Sequence, residues 1–454
     1  MVNGVSGPRR GVGGGRRPGR GRGLTPLIAL SLLIVAGCST GAPAPQPPPA
    51  SAPPSEATPG PGAGQSPSPS PSPSPGGEAA GLLARMSLED KVGQLFMIVV
   101  YGPRAGAAHQ ENTARYGVAT PAEVVRRFRP GGVILFPWAG NISTAEQVAA
   151  LTTGLRKASP LVPLMVGVDQ ENGEVARLGS LVTKLPGAPA IGRTRDPRLA
   201  RDVARVTGEE LRDLGIAVDF APVADVSAKG SFIRSRAYGS DPKLVSAMVR
   251  AAVEGFHAAG VASVAKHFPG HGGTSVDSHQ DLPVITYSKA RWRRVDAPPF
   301  RAAIERGVDA IMTAHVAMPR LDPSGDPATL SRAVITGLLR GELGYDGVVV
   351  TDALDMAGVR KRYGDAEVAV RAILAGADLL LMPPDLPTAY QAVLTAVRSG
   401  RIPERRIDES VLRILRLKER RGVLGPTRTD PGGVKSAEHL KVARRVAAAI
   451  ADAR

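Results

Sequence analysis

Eight short apolar segments recur along the chain, and most of them are separated by stretches with helical spacing. They occupy residues 95–100, 133–136, 164–168, 216–220, 263–266, 310–313, 348–351 and 379–382. Nearly continuous apolar strands that alternate with helices are typical of a parallel sheet covered on both faces. Eight such units in about 300 residues predict an α/β fold, a (β/α)₈ TIM-type barrel. A doubly wound open sheet is the alternative, because a count of strands does not separate the two.

Ionisable residues stand at the ends of four of these segments. Asp169 follows the third segment, Lys266 and His267 lie at the end of the fifth, His315 lies just after the sixth, and Asp352 follows the seventh. In a barrel the carboxyl ends of the strands converge on one face, where barrel enzymes carry their active sites. The clustering therefore favours a catalytic site over charged residues that merely end strands at the surface.

Residues 1–37 have the composition of a bacterial export signal. Six arginines, with no acidic residue, precede an apolar run over 24–36. At 1.5 Å per residue this run spans about 20 Å, too short for a hydrocarbon layer of roughly 30 Å. The residues Val35-Ala36-Gly37-Cys38 resemble a lipobox, and Cys38 is the only cysteine of the chain. We therefore expect cleavage before Cys38 and lipidation of that residue; an uncleaved anchor or an ordinary secretion signal is the alternative.

Residues 38–78 are rich in Pro, Ser, Ala and Gly and include a Ser-Pro repeat over 66–75. Such a tract buries too little apolar surface to fold, and its prolines favour an extended polyproline helix. We expect a disordered stalk between the lipid anchor and a single catalytic barrel domain over 79–454. The protein would then be extracytoplasmic and anchored to the cell membrane, and we expect a monomer.

The chain is basic, with a formal net charge of +16, of which six positive charges belong to the predicted signal. A basic surface outside the cell could attract anionic lipids or wall polymers, and a solvated basic face explains the charge equally well. The basic residues over 405–421 interleave with apolar ones in the pattern of an amphipathic helix that packs on a core. No nucleic-acid-binding motif occurs, and we expect no nucleic-acid partner.

The richest segment for chemistry is 266–279, with the sequence KHFPGHGGTSVDSH. One interpretation is a metal site, since His and Asp are common zinc ligands, although the His-Glu-x-x-His helix motif is absent. The second interpretation is a His–carboxylate dyad. Asp277 and His279 are two residues apart, close enough in a turn for the carboxylate to orient an imidazole that exchanges protons near neutral pH.

These residues resemble the signature of family 3 glycoside hydrolases, in the β-N-acetylglucosaminidase branch. The resemblance includes KHFPGHG over 266–272 and the Asp-Ser-His that ends at His279. It extends from residue 86 to about 418 and includes the segments 86–95, 131–136, 219–226, 236–239, 312–315 and 350–356. The number of ordered matches makes a chance resemblance implausible.

The resemblance implies a retaining mechanism with a TIM-barrel active site. Asp352 matches the catalytic nucleophile, and His279 matches the general acid/base, paired with Asp277. The residues that match positions holding the sugar's hydroxyl and acetamido groups are Asp169, Arg236, Lys266 and His267. We expect neither a cofactor nor a metal ion.

Two departures from the family pattern concern the substrate-binding loops. After 169–171 the family usually has Gly-Gly-Arg, whereas this chain has Asn172, Gly173 and Glu174. Gly273 stands where an aspartate is common. The catalytic set is unchanged, so these differences bear on subsite details.

The position of the acid/base residue in the chain limits the range of possible substrates. Members of the family that resemble β-glucosidases take their acid/base from a second domain after the barrel, and the chain ends at Arg454 without room for one. We therefore expect the acid to come from the barrel and the substrate to be a terminal β-N-acetylglucosaminide, from cell-wall fragments. Three alternatives stay open: a phosphorylase, a metal-dependent barrel amidohydrolase, and a non-catalytic wall-binding lipoprotein.

Overall fold

The computed structural model describes residues 77–453. The predicted signal over 1–37, Cys38 and nearly all of the predicted stalk lie outside the described residues. The first described helix, α1, spans Glu78–Leu83.

Eight parallel strands form the central sheet, in the spatial order β10-β1-β2-β3-β6-β7-β8-β9. Their bounds are β1 Phe96–Ile98, β2 Gly132–Ile134, β3 Met165–Val168, β6 Val218–Asp219, β7 Ala262–Phe268, β8 Ala310–Thr313, β9 Val348–Thr351 and β10 Leu380–Leu381. The Thr351 N–H donates to the Leu379 carbonyl at 3.0 Å, and Val350 bridges to Leu379, which joins β9 to the start of β10 and closes the ring.

This closure confirms the predicted barrel and excludes the open sheet, in which the outermost strands would stay unpaired with each other. Each of the eight apolar segments overlaps one barrel strand, and every residue of those strands is buried. The strands read as continuous apolar runs because one face packs in the barrel and the other faces the helices. The sequence did not predict a small antiparallel hairpin, β4 Gln170–Asn172 and β5 Val175–Ala176, which follows β3 directly.

Helices surround the barrel, and local sequence explains where several of them begin. The helices after α1 are α2 Leu88–Gln94, α3 Gln110–Tyr116, α4 Pro121–Phe128, α5 Ala145–Ala158, α6 Ala188–Thr194, α7 Pro197–Asp213, α8 Pro242–Ala259, α9 Lys289–Val295, α10 Ala297–Glu305, α11 Ala357–Arg360, α12 Asp365–Ala375, α13 Leu386–Arg398, α14 Glu404–Arg420 and α15 Ala437–Asp452, with a π-helix over Ala333–Glu342. Asp196 and Asp241 cap α7 and α8, and each helix has proline in its first turn, a favoured start.

The last two helices complete the outer layer. Helix α14 is amphipathic, and its apolar residues Ile407, Val411 and Ile414 are buried, which confirms the predicted core-packing helix. Helix α15 packs against α7 and α6. Within residues 77–453, no helix has both the length and the apolar character needed to cross a bilayer.

Candidate active site

A cavity of about 540 Å³ opens at the carboxyl ends of the barrel strands. All seven predicted site residues line it: Asp169, Arg236, Lys266, His267, Asp277, His279 and Asp352. They come from the ends of β3, β7 and β9 and from the loops after β6 and β7. Residues 277 and 352 therefore meet in one cavity although 75 positions separate them in the sequence.

The floor of the cavity holds a compact network of two cations and two anions. The Lys266 ammonium lies 2.7 Å from Asp169 and 2.8 Å from Glu171. The Arg236 guanidinium donates to both oxygens of Glu171, at 2.9 and 2.6 Å. Paired charges of this kind satisfy one another in a buried site and fix the direction of each donor.

Glu171 is the central member of this network. Burial by itself would raise the pKa of its carboxyl. The combined effect of Lys266 and Arg236 is larger and opposite, and it lowers the pKa to about 2. Glu171 is therefore ionised throughout the neutral range. It binds both Lys266 and Arg236, which line the cavity, and so fixes the positions of these two cations.

A second buried carboxylate, that of Asp225, holds His267. The Nδ1 atom of His267 lies 2.7 Å from Asp225, whose other oxygen accepts the backbone N–H of His271 at 2.6 Å. Burial raises the pKa of Asp225, but the neighbouring His267 lowers it, so the net direction is downward. Because Nδ1 of His267 contacts Asp225, its other ring nitrogen, Nε2, is directed toward the cavity, where it lies 3.4 Å from Arg236.

Asp352 lies just after β9 and is held mainly by its backbone. Its N–H donates to the Thr313 carbonyl at 3.1 Å, and its Oδ1 accepts the Ala353 N–H at 2.8 Å. Burial raises the pKa of Asp352, but His267 and other nearby donors lower it, and the net direction is below the usual value. A partly buried carboxylate that stays ionised is suited to nucleophilic attack.

The neighbouring His315 supports this segment of the chain. It is fully buried, with Nδ1 2.9 Å from the Thr329 hydroxyl and Nε2 2.9 Å from the Ala353 carbonyl. Burial lowers the pKa of His315, so its neutral form is favoured. His315 therefore positions the backbone next to Asp352 and does not line the cavity itself.

His279 and Asp277, which the sequence predicts as a dyad, contact each other at the outer edge of the cavity. The Nδ1 atom of His279 lies 2.7 Å from Asp277, and the same carboxylate oxygen accepts the His279 backbone N–H at 2.9 Å. The His279 side chain is 61% exposed, whereas that of Asp277 is 21% exposed. Nδ1 is thus held by Asp277, while the largely exposed His279 side chain lines the cavity.

The structure shows what surrounds each residue that departs from the family pattern. Asn172 adopts a left-handed backbone conformation with φ of 65°, which asparagine tolerates better than most residues, and it donates to Thr207 at 3.0 Å. Glu174 is exposed and lines the cavity. A side chain at position 273 would meet the ring of Tyr287, since a Cβ there would lie 2.5 Å from it, so Gly273 and Tyr287 fit each other.

Sequence reasoning missed Glu171, Asp225 and the residues Phe136, Trp138 and Arg177 of the cavity wall. Glu171 and Asp225 lay inside recognised motifs, and their type and position next to predicted sugar-binding residues were the available signal. A further buried carboxyl, Asp219, accepts the Gln170 N–H at 2.9 Å through Oδ1, and its Oδ2 has no hydrogen-bond partner among residues 77–453. Burial raises the pKa of Asp219 to about 8.

Two histidines that could have been metal ligands have other partners. His267 faces Asp225, and the Nε2 atom of His271 lies 3.1 Å from the Ser278 hydroxyl. Over residues 77–453 no group of three or more His, Cys, Asp or Glu side chains is arranged to hold a metal ion. His267 and His271 are therefore held by a carboxylate and a hydroxyl group.

A family model described as the N-terminal domain of glycosyl hydrolase family 3 matches residues 87–417. The chain belongs to glycoside hydrolase family 3. It is therefore a glycoside hydrolase, and the family resemblance of its motifs is confirmed over nearly the predicted range. Family membership also sets aside the amidohydrolase interpretation.

Several known proteins are similar to this chain. Beta-hexosaminidase A of Pseudoalteromonas piscicida is 37% identical over 327 residues, 65% of this chain and 54% of that protein. Beta-hexosaminidase LpqI of Mycobacterium tuberculosis is 35% identical over 352 residues, 75% of this chain and 85% of that protein. A solved family 3 beta-N-acetylglucosaminidase from Paenibacillus sp. is 43% identical with a TM-score of 0.73, covering 80% of this chain and 69% of that one. This family 3 chain thus spans about half of the first relative and most of the second.

Proposed function

We propose that this chain is a retaining β-N-acetylhexosaminidase that removes terminal non-reducing β-N-acetylglucosamine residues. The observation that carries the proposal is that Asp352 and His279 line one cavity, the first ionised and partly buried, the second exposed and bound to a carboxylate. A nucleophile and a proton donor are the two groups that a retaining glycosidase requires. The sugar is inferred from the relatives named beta-hexosaminidase and beta-N-acetylglucosaminidase.

In the first step Asp352 attacks the anomeric carbon. The glycosidic C–O bond breaks, and the bonding electron pair leaves with the oxygen, which takes a proton from Nε2 of the His279 imidazolium. The products are a glycosyl ester of Asp352 and the leaving alcohol. Asp277 stabilises the imidazolium before the transfer and holds the ring in the orientation that presents Nε2, since it accepts from Nδ1 at 2.7 Å.

In the second step neutral His279 removes a proton from water. The water oxygen attacks the anomeric carbon, the bond to Asp352 breaks, and the carboxylate is restored. Lys266, Arg236, Asp169 and His267 hold the sugar through both steps. Their fixed hydrogen-bond network makes them a preorganised site that needs little rearrangement when the sugar binds.

The test is to trap the ester with 5-fluoro-N-acetylglucosaminyl fluoride, which forms the intermediate and hydrolyses slowly. We expect one sugar adduct by intact mass, mapped to the peptide that contains Asp352, and no adduct in Asp352→Ala. Asp355→Asn is the matched control, since Asp355 lines the same cavity three positions away, and it should still be labelled. Turnover of substrates without any adduct would instead indicate chemistry assisted by the substrate's own acetamido group.

Phosphorolysis is the second candidate reaction. A solved beta-glucoside phosphorylase is 26% identical to this chain with a TM-score of 0.71, and a neutral imidazole, unlike a carboxylate, does not repel an anionic acceptor. Hydrolysis is better supported because the relatives named beta-hexosaminidase are 35–37% identical. In phosphate buffer, release of free N-acetylglucosamine supports hydrolysis, whereas release of the sugar 1-phosphate would establish the phosphorylase.

We also propose, from the sequence alone, that the protein is exported, lipidated at Cys38 and anchored outside the cytoplasm, where it acts as a monomer on cell-wall fragments. The support is the lipobox-like Val35-Ala36-Gly37-Cys38 and the proline-rich tract that follows it. Cys38→Ser should move the protein from the membrane fraction to the soluble extracytoplasmic fraction and remove the acyl mass. If Cys38→Ser stays in the membrane fraction, the proposed lipid anchor is contradicted. If the enzyme releases no sugar from purified peptidoglycan fragments, the proposed cell-wall substrate is contradicted.

A further inference from the structure

The cavity has a buried floor and an open mouth. Lys266 and His267 on the floor are 2% and 5% exposed. At the mouth the His279 side chain is 61% exposed and Trp138 is 58% exposed. A substrate that reaches the floor with its terminal sugar must therefore extend past His279 and Trp138 with the rest of its structure.

Trp138 is the exposed member of an aromatic cluster on the cavity wall. It lies in a 3₁₀ turn, Pro137–Ala139, directly after β2, and its ring stacks on that of Phe136 with centroids 5.0 Å apart at 25°. The ring of Tyr101 lies 6.0 Å away in a tilted arrangement. Both Phe136 and Tyr101 are buried, so Trp138 is packed on one side and open on the other.

The backbone under Trp138 is held by a buried asparagine. The side chain of Asn141 accepts the Phe136 N–H at 2.8 Å and donates to the Val100 carbonyl at 2.9 Å. These bonds connect the turn after β2 to the end of the β1 region. The indole is thus presented from a fixed turn, which lowers the entropy that a ligand would otherwise lose in ordering it.

An exposed tryptophan with a rigid support is a chemically specific surface. The other tryptophan of the chain, Trp292, is fully buried. The face of an indole carries a partial negative charge and attracts the positively polarised C–H groups of an apolar surface laid on it. A pyranose ring offers such a face, because its axial C–H bonds alternate between the two sides of the ring and leave a group of C–H bonds on each side.

We propose that Trp138, supported by Phe136, is a platform that binds the sugar ring on the leaving-group side of the scissile bond. This inference rests on the proposed function and adds to it a specificity for oligosaccharides. The side follows from burial: the charged groups that hold the terminal sugar lie on the floor, and the proton donor His279 lies at the mouth. The group that receives the proton therefore lies at the mouth as well, where Trp138 also lines the cavity.

The test compares two substrates that share the terminal sugar. In N,N′-diacetylchitobiose the leaving group is a second sugar, whereas in β-N-acetylglucosaminyl azide it carries no ring. For a two-step enzyme kcat/KM reports the steps up to formation of the glycosyl-enzyme, so the shared second step does not enter. We expect Trp138→Ala to lower kcat/KM for the disaccharide about 5- to 15-fold and to change kcat/KM for the azide less than twofold.

Two variants complete the design. Trp138→Phe keeps an aromatic face and should recover most of the disaccharide activity. Leu440→Ala, which removes an exposed apolar side chain from α15 outside the cavity, should leave both substrates unchanged. If Trp138→Ala lowers kcat/KM equally for both substrates, the indole contacts the terminal sugar instead. If kcat/KM for the disaccharide is unchanged, Trp138 binds no sugar ring. Either result overturns the inference. Failure of the wild type to cleave either substrate would refute the proposed function instead.

Discussion

Replacing Glu171 by glutamine tests whether the network on the cavity floor stabilises the fold. Glutamine keeps the shape of the side chain and removes its charge, so Lys266 and Arg236 would share the single anion Asp169. The pKa of Glu171 falls from 4.5 to about 2 in the folded protein, which corresponds to about 3 kcal/mol at 1.36 kcal/mol per unit. Removing one partner of a buried ion pair independently predicts a loss of about 3–5 kcal/mol.

The sign of the pH dependence follows from the same shift. Because the folded-state pKa lies below the value of 4.5, the contribution of Glu171 is fully present above pH 4.5 and is lost as the pH falls toward 2. The measurement is urea-induced unfolding at pH 7, where the whole contribution applies. We expect the free energy of unfolding to fall by about 3 kcal/mol with an unchanged denaturant slope, and kcat/KM to fall because Arg236 loses its support.

The matched control is Glu367→Gln. Glu367 is also paired with two cations, Arg371 at 2.7 Å and Arg401 at 2.6 Å, but its side chain is 33% exposed whereas that of Glu171 is 6% exposed. Exposed ion pairs contribute less than about 1 kcal/mol. If the two variants lose equal stability, or if Glu171→Gln loses less than about 1 kcal/mol, burial does not strengthen this network and the reasoning is refuted.

Three further predictions use the same structure. Asp225→Asn removes the carboxylate that faces His267 and should lower kcat/KM about 10- to 100-fold toward an aryl N-acetylglucosaminide, the range for a lost charge-assisted hydrogen bond; wild-type kinetics would contradict this. Burial raises the pKa of Asp219 from 3.8 to about 8, so folding takes up a proton and stability falls as the pH rises between these values. Asp219→Asn should therefore gain stability relative to the wild type by about 1.4 kcal/mol per pH unit in that range, and parallel stability curves would disprove it. Gly192→Ala should destabilise the protein by more than about 3 kcal/mol in thermal or urea unfolding, because its Cβ would lie 1.7 Å from the Tyr238 carbonyl oxygen; a wild-type midpoint would show that the backbone can move aside.

The amino-acid sequence alone indicated eight strands and a set of candidate catalytic residues, but it left a closed barrel and an open sheet as alternatives. Eight apolar segments predicted eight strands because a strand buried on both faces has a composition that can be recognised locally. Asp277 and His279 could be predicted as a pair because only two positions separate them, which places both in one turn. Asp352 and the predicted sugar-binding residues followed from the resemblance of contiguous motifs to those of family 3.

Only the tertiary structure decided which distant side chains meet. Glu171 pairs with Arg236 across 65 positions and His267 with Asp225 across 42, and no local pattern distinguishes these carboxylates from others nearby. The aromatic wall of Phe136 and Trp138 likewise needs the turn after β2 to face the cavity mouth. Such contacts depend on closure of the barrel, which brings strand ends together regardless of their separation in the chain. Local composition therefore specifies the secondary-structure elements, and closure of the barrel specifies which distant side chains contact each other.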